Sequence, residues 1–259
     1  MPKPKVCVLR SAGTNCDQET AAAFSLAGAS AELLHINQLV SNKRTLDDFG
    51  ILALPGGFSY GDDVASGKIF ANELKFKLAD SLRKFIADGK LIIGICNGFQ
   101  ILVKSGLLPG NANLDQTVSL IINDSGKFES RWVYLKSSGH CVWTKGLKKI
   151  IYLPVAHGEG KFIVIDQQVL NRLKKNGQIV FQYTDKAGDF SGYPQNPNGS
   201  IENIAGICDA TGRVLGLMPH PERHIHGAQH PRKEESKFNL KGDGLQIFKN
   251  GVEYVKAHL

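Results

Sequence analysis

Apolar runs alternate with a helix-forming segment along the first 60 residues of the chain. Three runs of apolar β-formers predict buried strands: KVCVLR (5–10), AELLHI (31–36) and GILALP (50–55). Residues 17–29 lie between the first two runs and predict a helix. Strands that alternate with helices in this way are typical of a parallel sheet wound with helices.

The next 30 residues continue the same pattern. Apolar side chains at helical spacing predict one helix from Phe70 to Ala87, and Gly89 stands where a helix cap is expected. The run KLIIGIC (90–96) predicts the next buried strand. The first hundred residues therefore predict a parallel sheet wound with helices.

After Pro109 the pattern changes to short runs separated by turn residues. Three of these runs predict antiparallel strands: TVSLIIN (117–123), SRWVYLK (130–136) and HCVWTK (140–145). The later predicted elements are strands at 149–157 and 178–184, a helix at 167–177, two strands within 203–220 and a helix at about 244–259. No linker divides the chain, so residues 1–259 are predicted to form a single domain. Its predicted fold is an open, mostly parallel α/β sheet with helices on both faces, an antiparallel excursion and a docked C-terminal helix.

Composition excludes several classes of protein. The chain has 259 residues, of which 42% are hydrophobic and 21% are charged, and this is ordinary for a globular protein. No apolar run approaches a membrane span and the N-terminus has no apolar leader, so we expect a cytoplasmic protein. Five widely spaced cysteines without a Cys-x-x-Cys pair predict neither a disulfide framework nor a zinc ribbon. The net charge of +7 fits nucleic acid, phosphorylated substrates or an acidic partner, but the basic residues are scattered, which favours a solvated surface.

The segment GICNG, residues 94–98, ends a predicted strand with a cysteine between two glycines. This spacing is the thiol version of a nucleophile elbow, in which a sharp turn exposes the nucleophile above the sheet. Cys96 would then stand at a helix N-terminus, where the helix dipole favours the thiolate. The alternative is that Cys96 is a small buried core residue. Cys16, at another predicted helix start, is the one rival nucleophile, although the sequence assigns no base to it.

A base for this thiol is predicted in LMPHPERH, residues 217–224. Pro219 and Pro221 exclude a helix there, so His220 and Glu222 lie two apart in extended chain and share a face. An imidazole with a carboxylate behind it is what a cysteine nucleophile requires. The alternative for such a segment is a surface turn.

The glycine-rich segment LPGGFSYGDDVASG, residues 54–67, follows another predicted strand. It matches no dinucleotide-binding pattern, and Asp62 stands where a phosphate-binding P-loop needs its first glycine. One interpretation of this pattern is a flexible loop. We favour the alternative, in which the backbone N–H of Gly57 donates to an oxyanion at this edge of the sheet.

Together these segments resemble the class I glutamine amidotransferase family, which has a Cys-His-Glu triad. Seven segments resemble more closely the glutaminase subunits of phosphoribosylformylglycinamidine synthase: GTNCDQET, GGFSYGDD, CNGFQIL, FESRWV, PVAHGEGKF, NPNGS and MPHPER. They span residues 5–223 approximately. Ser11-Ala12-Gly13 departs from this pattern, which has a proline-glycine pair there.

The resemblance implies a flavodoxin-like fold and a glutaminase reaction. Cys96 would attack the side-chain amide of glutamine, His220 would transfer protons and Glu222 would hold the imidazole. The resemblance also places Gly57 and Asn97 in an oxyanion hole. It implies that glutamine is contacted by Gln100, His157 and Gly158.

The resemblance implies partners as well. No cofactor is expected in this chain, because ATP and Mg²⁺ would be used by a large synthetase subunit that receives the ammonia through a tunnel. A small accessory subunit is also expected, and nucleic acid and membranes are not. The serious alternative is a glutaminase subunit of another amidotransferase. An unrelated cysteine hydrolase on the same fold and a basic nucleic-acid-binding module are more distant alternatives.

The segment 223–244 is rich in histidine and is not explained by the resemblance. His224-x-His226 suggests a metal site, but no cysteine lies nearby and His220 is needed for the triad. We therefore predict no metal site and expect a basic loop that faces the partner.

Overall fold

The computed structural model describes residues 2–110, 113–138, 140–232 and 241–259. Its strands are β1 (Lys5–Arg10), β2 (Ser30–His35), β3 (Ile51–Leu54), β4 (Leu91–Ile95), β5 (Val118–Ile122), β6 (Glu129–Ser137), β7 (Ile150–His157), β8 (Glu159–Val164), β9 (Ile179–Thr184), β10 (Ile204–Cys208) and β11 (Val214–Leu217). Its α-helices are α1 (Asp17–Leu26), α2 (Ile36–Val40), α3 (Lys68–Lys77), α4 (Ala79–Ala87), α5 (Asn97–Lys104), α6 (Gln167–Lys175) and α7 (Leu245–His258).

Nine of these strands form one sheet in the order β2-β1-β3-β4-β11-β10-β9-β6-β7. The five strands from β2 to β11 are parallel, and the remaining pairs are antiparallel. β5 and β8 form a separate antiparallel pair. The predicted α/β sheet with an antiparallel excursion is therefore confirmed.

The three central parallel strands, β3, β4 and β11, are apolar and covered on both faces. Every residue of β3, β4 and β11 is buried, as continuous apolar runs predict for the centre of a parallel sheet. Helix α5 packs against β3, β4 and β11. α7 docks on the body, where the ring of Phe248 lies edge-on at 4.9 Å from that of Phe24.

The order of the central strands determines where the functional side chains meet. β3, β4 and β11 are adjacent and parallel, with Leu54 opposite Gly94 and Ile95 opposite Leu217. Their carboxyl ends therefore open at the same edge of the sheet, which is where ligands bind in such folds. The segments that follow these strands begin at Pro55, Cys96 and Met218.

Two predicted elements differ from the structure. Residues 70–87 belong to two helices, because the backbone of Leu78 leaves helical geometry at φ −127° and ψ 10°. Leu74, Leu78 and Leu82 are all buried, so the apolar face continues across the break and hides it in the sequence. Gly89 is confirmed as the cap: its φ is +79°, and the N–H of Lys90 donates to the carbonyl of Phe85.

The predicted strand at 140–145 is also wrong. Val142–Thr144 form a single 3₁₀ turn. Its apolar character comes from Trp143, which is fully buried and donates its indole N–H to the carbonyl of Arg213. The periodicity missed β8 and the short helix α2. Among the described residues, no helix is long and apolar enough to cross a membrane.

Candidate active site

Cys96 occupies a strained turn between β4 and α5. Its φ of +50° and ψ of −104° are unusual for a residue with a side chain, and the flanking contacts maintain them. The N–H of Cys96 donates to the carbonyl of Leu217 at 2.8 Å, which ties the turn to β11. A Cβ on Gly98 would lie 1.9 Å from the carbonyl oxygen of Leu54, so only glycine lets α5 approach β3 this closely. The geometry is that of a nucleophile elbow.

His220 and Glu222 form a buried pair beyond the end of β11. Nδ1 of His220 lies 2.6 Å from Oε1 of Glu222, and both residues are only 2% exposed. Burial opposes the charged imidazole, but the negative charges of Glu222 and Cys96 outweigh it and raise the pKa of His220 well above its usual value. Close approach of the Cys16 and Cys96 thiols to the imidazole also favours its charged form and raises this pKa.

The loop after β3 reaches the same place. A Cβ on Gly56 would lie 2.7 Å from Cε1 of His220 and 3.4 Å from Cβ of Cys96, so this backbone passes directly beside the proposed base and nucleophile. Gly57 has a φ of +134°, and its N–H donates to no described residue. Asn97 is the first residue of α5, so its own N–H has no acceptor within the helix. Both amides are therefore available to a ligand.

The side chain of Asn97 holds this loop in place. Its Oδ1 accepts from the hydroxyl of Ser59 at 2.7 Å, and its Nδ2 donates to Asp62 at 3.2 Å and to Gln100 at 3.0 Å. The sequence singled out Asn97 only for its backbone. Ser59 and Asp62 belong to the segment GGFSYGDD. The position of this segment directly after a strand is the one sequence signal for their contacts with Asn97.

The three residues predicted to contact glutamine already form hydrogen bonds within the protein. Gln100 is buried, and its Nε2 donates to the carbonyl of Glu159 at 2.6 Å. His157 is buried, and its Nδ1 donates to Oδ1 of Asn123 at 3.2 Å, while its Nε2 has no partner among the described residues. Burial and the nearby His220 lower the pKa of His157 to about 4, so its ring is neutral at pH 7. The carbonyl of Gly158 accepts from the N–H of Asn123.

Several supporting residues were missed by the sequence analysis. Asn198 donates from Nδ2 to the carbonyl of Gly160 at 2.8 Å and to the hydroxyl of the buried Tyr183 at 3.2 Å. The thiol of Cys96 donates to the carbonyl of Ala156 at 3.6 Å. Asn198 lies in NPNGS, which resembles the glutaminase subunits, but nothing in the spacing of that segment indicates the contacts of Asn198.

Cys16 lies closer to the triad than the sequence suggests. Its Sγ, an imidazole nitrogen of His220 and a carboxylate oxygen of Glu222 all lie within 4.8 Å of one another. Nη2 of Arg223 donates to this sulfur at 3.1 Å. The rival thiol therefore does have a base beside it, although Cys16 is held at the start of α1 and not in an elbow.

Two histidines of 223–244, His224 and His230, lie close together, with ring centroids 5.6 Å apart, and both pack against Trp132. Nδ1 of His224 bonds the carbonyl of Tyr152 at 2.7 Å, and its ring packs edge-on against Trp132. Within the described ranges, the cluster of possible metal ligands that includes Cys16 contains neither His224 nor His226. The basic loop was predicted over residues 223–244, and residues 233–240 of it lie outside the described residues.

The chain is similar to known proteins of one family along almost its whole length. A family model for the CobB/CobQ-like glutamine amidotransferase domain matches residues 3–255. The chain is 49% identical to the phosphoribosylformylglycinamidine synthase subunit PurQ of Dehalococcoides mccartyi, with 99% of each chain covered. It is 46% identical to the PurQ subunit of Archaeoglobus fulgidus, with 97% of each covered.

Solved structures give the same result. A chain in the structure of PurLQS from Thermotoga maritima superposes with a TM-score of 0.75 at 32% identity, covering 97% of this chain and 99% of that one. A glutamine amidotransferase from Thermotoga maritima superposes with a TM-score of 0.55 at 15% identity, covering 98% and 99%, and supports the fold alone.

Proposed function

Because the chain belongs to the CobB/CobQ-like glutamine amidotransferase family and, within it, to the PurQ subunits of phosphoribosylformylglycinamidine synthase, we propose that it hydrolyses glutamine at Cys96. The chain is an enzyme of purine biosynthesis, a glutaminase subunit. The site assignment rests on one observation. Cys96 lies in an elbow at the same edge of the sheet as the buried His220–Glu222 pair.

The reaction follows from the positions of these groups. His220 takes the thiol proton of Cys96, and the sulfur then attacks the side-chain carbonyl carbon of glutamine. The protonated imidazole, stabilised by Glu222, returns the proton to the departing nitrogen, so ammonia leaves and a thioester remains. Water attacks the thioester carbon with His220 as base, which releases glutamate and restores the thiol.

Charge on the substrate oxygen needs its own partners. The free N–H groups of Gly57 and Asn97 are suited to the oxyanion of each tetrahedral intermediate, and one such donor contributes about 3 kcal/mol of transition-state stabilisation. Gln100, His157 and Gly158 are proposed to line the glutamine site. Since the amide of Gln100 is bonded to Asn97 and Glu159, we assign it to positioning the loop as well as the substrate.

The ammonia is passed on to a partner subunit. The relative of known structure was solved as PurLQS, which supports a complex with a large synthetase subunit and a small accessory subunit. ATP and Mg²⁺ act in the synthetase, where formylglycinamidine ribonucleotide is made, and this chain carries no cofactor of its own. We further propose that residues 1–259 form one domain, supported by the continuous sheet, and that the complex is cytoplasmic and binds neither nucleic acid nor membranes.

Labelling with 6-diazo-5-oxo-norleucine, an electrophilic glutamine analogue, tests this assignment. Peptide-mapped mass spectrometry should find one adduct, on Cys96, that glutamine prevents and that the synthetase partner increases. The variant Cys96→Ala should carry no adduct, and Cys16→Ala should keep the adduct on Cys96. An adduct on Cys16 in the unmodified protein would overturn the choice of nucleophile. Formation of the amidine by the chain alone would overturn the requirement for a synthetase.

A further inference from the structure

The turn between β1 and α1, residues 11–16, lies against the loop that carries Gly57. The two segments run antiparallel where they meet, with Thr14 opposite Gly57. The turn contains the first four residues of GTNCDQET, a motif to which the glutaminase reaction gives no role. We propose that this turn is a positioning element of the oxyanion hole, which holds the peptide unit between Gly56 and Gly57 with its N–H toward the substrate oxygen.

The carbonyl of Gly56 and the N–H of Gly57 belong to one peptide unit. That peptide is trans, so the two groups point in opposite directions. The carbonyl accepts from the backbone N–H of Cys16 at 3.2 Å and therefore faces the turn. The N–H of Gly57 faces away from the turn as a result, and it donates to no described residue. One backbone bond from the turn therefore sets the direction of the proposed oxyanion donor.

The turn and the loop are packed in direct contact. A Cβ on Gly57 would lie 2.5 Å from Oδ1 of Asn15 and 2.6 Å from its backbone nitrogen, so the turn touches the Cα of Gly57. A Cβ on Gly13 would lie 2.0 Å from the carbonyl oxygen of Phe58. The N–H of Phe58 donates to the carbonyl of Gly13 at 2.9 Å, which holds the residue after Gly57 as well. Glycine at position 13 therefore lets the two segments approach this closely.

The turn is itself closed by two hydrogen bonds. The hydroxyl of Thr14 accepts from the N–H of Ser11 at 3.2 Å, and the N–H of Thr14 donates to the carbonyl of Ser11 at 3.3 Å. Within the closed turn, the carbonyl of Ala12 accepts from the N–H of Tyr60 at 2.8 Å. Ala12 thus contributes a backbone carbonyl, which proline also has, so its departure from the proline-glycine pattern preserves the contact with the loop.

The catalytic effect of the turn rests on the proposed function, but its hold on the loop does not. A preorganised donor stabilises an oxyanion because it does not have to reorient during the reaction. Negative charge develops on the substrate oxygen only after glutamine has bound. Loosening the turn should therefore lower kcat and leave KM nearly unchanged. The hold on the loop can be measured whether or not glutamine is hydrolysed.

Gly13→Ala tests the contact, with Gly89→Ala as its matched control. Both glycines have a left-handed backbone, with φ of +83° and +79°, but a Cβ on Gly89 would meet nothing within 4 Å. The amides of Phe58 and Tyr60 donate to the turn, so their hydrogen exchange should be about tenfold faster or more in Gly13→Ala. It should be unchanged in Gly89→Ala. Equal exchange rates in the two variants would overturn the proposal.

Thr14 provides a second pair of variants in case the clash in Gly13→Ala prevents folding. Thr14→Ala loses the hydroxyl that closes the turn, and Thr14→Ser keeps it. In the assembled synthase, kcat should fall about tenfold or more in Gly13→Ala and by less in Thr14→Ala, and Thr14→Ser should recover it.

Two kinetic results would contradict the positioning role. One is a rise in KM at constant kcat, and the other is an equal loss of kcat in Thr14→Ser and Thr14→Ala. Absence of glutaminase activity from the unmodified synthase would overturn the proposed function, while the exchange rates would still decide whether the turn holds the loop.

Discussion

Nδ1 of His220 and Oε1 of Glu222 are 2.6 Å apart, and solvent reaches almost nothing of either side chain. A carboxylate in this position fixes the orientation of the ring and favours its charged form. The two residues are separated by one proline, and Pro221 begins a short 3₁₀ turn that carries Glu222 back toward the ring. The pair therefore depends on local chain geometry as much as on the sheet.

Replacing Glu222 by Gln tests what the carboxylate does. The side chain keeps its shape but loses its charge, so we expect kcat of glutamine hydrolysis to fall by about 10²-fold or more, the range of general acid–base effects. The pKa of His220 is raised in part by Glu222, so the alkaline limb of the kcat–pH profile should move to lower pH in the variant. Steady-state kinetics of the complex from pH 6 to about pH 10 measure both effects.

The same pair makes a contribution to stability with a definite sign. A histidine whose pKa is raised by folding stabilises the fold at pH values below its unfolded pKa, and this stabilisation is lost as the pH rises through the folded pKa. Glu222→Gln should lose that pH-dependent part. Urea unfolding of the unmodified protein and of Glu222→Gln, from pH 6 to about pH 10, measures this difference. Parallel curves of unfolding free energy against pH would contradict the coupling of the pair.

Gly56→Ala tests how tightly the loop after β3 fits the site. The new Cβ would lie 2.7 Å from Cε1 of His220, so the imidazole must move, and small displacements of a catalytic group are costly. We expect a large fall in kcat. Gly192→Ala is the matched control, because nothing lies within 4 Å of its Cβ position. Equal activity of the two variants would show that the loop is not in contact with the base.

The central parallel sheet and the placement of Cys96, His220 and Glu222 at one edge of it could be predicted because local sequence specifies both. Continuous apolar runs identify β3, β4 and β11, and the residue types after them carry the chemistry. The break at Leu78 could not be predicted, since the buried face of α3 continues into α4. Cys16 could not be placed beside His220 either, because that contact joins residues 204 positions apart through the order of the strands.

Asn97→Ala tests the hydrogen-bond network that holds the loop carrying Gly57. The substitution leaves the hydroxyl of Ser59 and the amide of Gln100 without their partner, and an unpaired buried polar group costs about 1–3 kcal/mol. The free energy of unfolding should fall by about that amount, and kcat should fall more than KM rises, because the oxyanion donors lose their positions. Ser59→Ala removes one of these bonds and should have a smaller effect of the same sign.

His157 gives the last test, because its pKa is shifted in the opposite direction from that of His220. Burial holds the pKa of His157 at about 4, against an ordinary value of 6.5, so the folded protein binds fewer protons than the unfolded chain between these values. Its contribution to the free energy of unfolding should therefore decrease as the pH falls from 6.5 to about 4, by roughly 1.4 kcal/mol per pH unit at most. His157→Gln should remove this dependence in urea unfolding measured at several pH values. A ring that titrates near 6.5 by NMR would contradict it, and would mean that water reaches His157 in the folded chain.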